Sequence, residues 1–123
     1  ILNMTNDVYK ILTEEEWRQG KASSKIITKL DLKDGFVHLS TATQLNASLS
    51  LYFSNESKVI LAQINLSKII NNLKFEDVSI ANNRGGKFPH FYGILNTDMI
   101  LKTWQLERSA FCLPKEVLLQ AEQ

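Results

Sequence analysis

Cysteine is almost absent from this chain: Cys112 stands alone, which excludes an internal disulfide and any cysteine-rich metal site. That scarcity suits a reducing compartment, and the expected location is the cytoplasm. Long apolar runs are missing too, since stretches such as residues 59–62 stop after four residues, far short of a membrane span. Nor is there an excess of one charge. With 14 Lys and Arg against 13 Asp and Glu, the formal charge of +1 exerts no bulk pull on nucleic acid or an anionic membrane. Internal repeats and low-complexity tracts are lacking. What remains is 123 residues with 44% hydrophobic content, enough for one domain, 1–123, with a real core. Residues 1–6 are expected to be disordered or a remnant of expression, with Met4 as the natural start.

Histidine is also scarce, with only His38 and His90. Ahead of His38, Asp34-Gly35 is turn chemistry, and Phe36, Val37 and Leu39 read as a short strand. Thr41 and Gln44 have capping-box spacing, and Leu45, Leu49, Tyr52 and Phe53 recur as on an amphipathic helix. A histidine is thus expected to end a strand where a helix N-terminus opens, whose free N–H groups suit an anionic or electron-rich ligand. A buried histidine bonded to a carbonyl, beside a helix start that binds nothing, fits these residues equally well.

The second histidine lies in Phe88-Pro89-His90-Phe91-Tyr92-Gly93. Pro89 restricts Phe88 to extended backbone, and period-two alternation puts His90 and Tyr92 on one face with Phe91 on the other. Residues 77–87, just before, form the longest stretch without a periodic pattern and contain Arg84, Gly85, Gly86 and Lys87. The glycines allow close backbone approach to a ligand, and Arg84 suits a phosphate. The spacing matches no Walker or dinucleotide fingerprint, and a flexible hairpin loop explains the stretch when taken alone.

Elsewhere, residues 8–12 read as a first strand. Thr13 and Glu16 then cap a helix whose positive end favours the glutamates at 14–16, with Leu12 and Trp17 at staple spacing and Gly20 as its end. Residues 21–33 show a mixed pattern without chemistry. Residues 58–65, apolar on both faces, predict a central buried strand. A helical turn at 66–70, strands at 73–76 and 99–107, and a terminal helix at 115–121 behind Pro114 complete the chain.

Metal chemistry fits poorly, because no His or Cys at ligand spacing accompanies the two histidines and only Glu76 or Asp77 are at hand. Ser40 and Thr41 follow His38 but are explained by capping, which leaves a nucleophilic triad without support.

Gly35-Phe36-Val37-His38-Leu39-Ser40-Thr41-Ala42 with Gln44-Leu45, the block from Phe88 to Gly93, and the opening residues 8–12 with Trp17 resemble the domain-of-unknown-function 952 family of small bacterial and plant proteins. The resemblance runs from about Val8 to Trp104. That family is similar in fold to the ADP-ribosyltransferase-like group, which includes poly-ADP-ribose polymerases and RNA 2′-phosphotransferases. The resemblance implies an α+β domain with a compact two-sheet, mixed or antiparallel β core, two main helices, and a cleft between the histidine motifs. It further implies that His38, with Ser40 or Thr41 beside it, contacts ribose hydroxyls, while His90 or Tyr92 brackets a nicotinamide ring. Arg84 and Gly85 would meet a pyrophosphate. Glu76 and Glu107 are candidates for the carboxylate that stabilises a developing ribosyl cation.

The expected function is binding of a small-molecule nucleotide such as NAD or ADP-ribose in a two-histidine cleft, by a domain that transfers ADP-ribose or cleaves NAD. No permanently bound cofactor is expected, and NAD is the candidate substrate. RNA 2′-phosphotransfer ranks lower, because an RNA groove needs more basic side chains than a charge of +1 provides. Two other classes stay open: an inert module for a small metabolite, and a partner-binding domain with Phe88, Phe91 and Trp104 as exposed anchors.

Overall fold

The computed structural model describes residues 7–77, 86–107 and 114–121. Its centre is the apolar strand β4 (Lys58–Ile64), preceded in the chain by β1 (Val8–Thr13), β2 (Val37–His38) and β3 (Ser40–Thr41), and followed by β5 (Leu73–Glu76), β6 (Phe88–Phe91) and β7 (Ile100–Glu107). One antiparallel sheet has the order β3-β1-β4-β7, and a second, smaller one the order β2-β6-β5. With helices between the strands, the fold is α+β.

The larger sheet is covered on both faces, which is why β4 can be apolar throughout. Tyr9, Ile11, Val59 and Leu61 pack with Leu45 and Leu49 of α3 (Leu45–Tyr52) and Val117 of α5 (Lys115–Ala121). On the opposite face, Val8, Leu12, Ile60, Ala62 and Ile64 pack with Val37 and Phe91 of the smaller sheet. Alternation then turns His38 and His90 to that sheet's other face.

Between β1 and β2 lie two helices. The first, α1 (Glu14–Ser23), starts with the reciprocal Thr13/Glu16 box at 3.1 and 2.9 Å. It runs past Gly20 and ends at Ser24, whose φ of 66° is left-handed. Gly20 sits against the tip of the Ile26 side chain rather than ending the helix, and a Cβ there would require that tip to shift. The second, α2 (Lys29–Asp34), falls where the pattern suggested no element, and it too opens with a reciprocal box, Thr28 with Asp31. A single turn, α4 (Leu66–Ile69), leads into β5.

One expectation needs correction. The strand read over Phe36, Val37 and Leu39 does not run directly into a helix. The chain leaves the small sheet at Leu39, whose N–H donates to the Pro89 carbonyl (3.1 Å), and enters the large one, where Tyr9 faces Ser40. The Thr41 N–H does donate to Gln44 Oε1 (3.0 Å), but the strand β3 stands between His38 and that helix start. The proposed anchors also fail: Phe88 and Phe91 are buried, and Trp104 packs against the core. Among the described residues, no helix is long and apolar enough to cross a membrane.

Candidate functional site

His38 of β2 stands directly opposite His90 of β6 in the antiparallel register. Side chains at such a pair share one face, and the two ring centroids are 5.7 Å apart. Phe36 lies over both, stacked on His90 at 4.0 Å and tilted to His38 at 4.5 Å. Both histidines line a cavity of about 300 Å³ that also touches Lys10, Asp31, Ser40 and Tyr52.

Lys10 interrupts an apolar strand and shares a face with Val8 and Leu12, yet it is only 3% exposed. A buried ammonium requires a counter-charge. Asp31, 1% exposed, supplies it at 2.9 Å, and Lys10 Nζ also donates to the His38 carbonyl (3.0 Å). The same carboxylate accepts the Thr28 N–H (3.0 Å), the His38 N–H (3.0 Å) and lies 2.7 Å from His38 Nδ1. Burial alone would raise the Asp31 carboxyl, but the His38 hydrogen bonds and the Lys10 charge outweigh it and hold the group below the usual carboxylate range. Burial lowers the Lys10 ammonium, and Asp31 only partly restores it. The other ring nitrogen, His38 Nε2, meets Asp34 Oδ2 at 2.8 Å.

His90 is anchored differently. Its Nδ1 lies 2.8 Å from Glu76 Oε1, and the Tyr92 hydroxyl donates to the same oxygen at 2.7 Å. The Tyr92 hydrogen bond, then that of His90, lowers the Glu76 carboxyl, and the same bond raises the Tyr92 phenol. Lys74, opposite His90 in the register, sits over the Tyr92 ring at 5.2 Å. Two imidazoles, each with Nδ1 set against a carboxylate, can hold a ligand by hydrogen bonds from fixed ring positions or move a proton.

Of the residues singled out from the sequence, His38, His90 and Ser40 line the cavity, with the Ser40 hydroxyl 2.8 Å from that of Ser48. Glu76 and Tyr92 do not line the cavity; Glu76 meets it through His90, and Tyr92 through Glu76. Thr41 is turned to Thr43, 3.2 Å away. Glu107 stands opposite Lys58 on β7 and does not line the cavity. Arg84, Gly85 and Cys112 lie outside the described residues. The sequence reading missed Lys10, Asp31 and Asp34, although the Thr28-to-Asp31 spacing and a lysine inside an apolar strand were both visible. Among the described residues no group of three or more His, Cys, Asp or Glu is arranged to hold a metal ion.

The crystal structure of protein CC0527 from Caulobacter crescentus shares this fold with a TM-score of 0.75 and 29% identity, covering 93% of this chain and 97% of that one. The solution NMR structure of CC0527 gives a TM-score of 0.69 and 30% identity over 84% and 86% of the two chains. No curated protein matches the chain. The family model described as protein of unknown function (DUF952) matches residues 11–103, a span that holds both histidine motifs, and the chain therefore belongs to the DUF952 family.

Proposed function

We propose that the two-histidine cleft binds a nucleotide of the NAD or ADP-ribose class, in the manner of an ADP-ribosyltransferase-like domain with slow or no turnover. The observation that carries this reading is the His38–His90 pair, two imidazoles 5.7 Å apart on the wall of one cavity. A volume of about 300 Å³ is at the small end for ligand pockets and suits the nucleoside half of a dinucleotide rather than the whole. Glu76, kept ionised by two donors, is the carboxylate within reach of His90. It is therefore favoured over Glu107 as the group that would stabilise positive charge developing on a ribose.

The test pairs calorimetric affinity for NAD and ADP-ribose with nicotinamide release. His38→Ala and His90→Ala should each weaken binding about tenfold, the scale of one well-placed hydrogen bond to an ionised group. Glu76→Gln should retain affinity and abolish any release, and Glu107→Gln should match the parent. Absence of binding by the parent protein would overturn the reading.

A further inference from the structure

His38 carries a carboxylate on each ring nitrogen, and the two are held very differently. Asp31, beside Nδ1, is buried and tied to Lys10, Thr28 and the His38 backbone. Asp34, beside Nε2, is 36% exposed, and this contact is its one side-chain hydrogen bond among the described residues. A neutral imidazole has one N–H and one lone pair, so it donates to only one of the two carboxylates at a time. The ring also meets Phe36 at 4.5 Å and the His90 ring at 5.7 Å, and His90 in turn bonds Glu76 and faces Lys74 in the register.

We propose that His38 Nε2 is an anion-binding position at the rim of the cleft, occupied in the free protein by Asp34, whose place a phosphate group of the ligand takes. Asp34 is the last residue of α2, followed by Gly35 in a left-handed turn with φ of 82°. Swinging its side chain into solvent breaks only an exposed ion pair, a weak interaction. Asp31 has no such freedom and keeps the ring in place. Once Asp34 leaves, His38 Nε2 has lost its carboxylate partner, while Nδ1 stays held by Asp31 and Lys10 stays paired with the same carboxylate. A phosphate oxygen restores the lost charge-assisted hydrogen bond and brings more negative charge than a carboxylate. The proposal deepens the nucleotide reading and rests on it only for what carries the phosphate.

The experiment uses the full chain and inorganic pyrophosphate, with ADP-ribose as a separate probe. Asp34→Asn keeps the side-chain shape and removes the competing charge, so calorimetry should show pyrophosphate binding up to about fivefold tighter than in the parent. His38→Gln should abolish that gain in the Asp34→Asn background. In the parent, the imidazole Nε2 15N signal of His38 should shift on saturation with pyrophosphate. Equal or weaker pyrophosphate affinity in Asp34→Asn, no pyrophosphate binding at all, or an unmoved His38 signal would each overturn the proposal. If pyrophosphate behaves as expected but ADP-ribose and NAD do not bind, the nucleotide reading fails alone. If ADP-ribose binds and Asp34→Asn leaves its affinity unchanged, the anion position fails alone.

Discussion

His38 and His90 each set Nδ1 against a carboxylate oxygen, at 2.7 and 2.8 Å, but the carboxylates belong to different environments. Asp31 is 1% exposed and ties together a strand lysine, a helix cap and a backbone amide. Glu76 is 38% exposed and ties a ring to a phenol. The same pairwise geometry therefore serves two ends. Around His38 the carboxylate belongs to the core, because Lys10 cannot stay buried without it. Around His90 it faces water and can respond to a ligand without disturbing the fold.

Removing the carboxylates breaks this contrast most directly. Asp31→Ala leaves Lys10 buried without a counter-charge, and urea unfolding should show a loss of about 3–5 kcal/mol. Adding Lys10→Met should recover part of that loss, because the pair is then absent rather than broken. Recovery of nothing would mean that the Thr28 cap and the His38 contacts, rather than the ion pair, account for the cost.

A smaller effect concerns acid. The native Asp31 carboxyl lies below its unfolded value, so its contribution is fully present above the ordinary carboxylate range of about pH 4 and is lost as pH falls through the lower native value. The stability of the parent should fall with decreasing pH below about 4, and the slope should flatten in Asp31→Asn. The Glu76 shift has the same sign, but solvent screens it, so Glu76→Gln should leave the acid slope nearly as in the parent. Equal flattening by both variants would erase the distinction between the two sites.

The smallest expected change is in the melting temperature of Tyr92→Phe. Its hydroxyl is exposed and, among the described residues, donates to Glu76, so the melt should match the parent within experimental scatter while the Glu76 carboxyl, followed by NMR titration, moves back up toward its usual range. A clear loss of stability would place the Glu76 cluster in the core after all.

Local pattern determined much of this protein. The Thr13/Glu16 cap, the doubly apolar strand at 58–64, the shared face of His90 and Tyr92, and the two motifs that mark the family were all readable, because each is recorded within a few consecutive residues. The sheet change at Leu39 was not, since strands of two residues carry no period. The six-residue helix α2 was equally silent as a pattern, being too short to repeat an apolar face. Only the tertiary structure decided which acid meets which base. Asp31 is 21 residues from Lys10, and Glu76 is 14 from His90. Sequence spacing sets no distance across such gaps. That distance exists only once the two sheets have packed and fixed where each side chain ends.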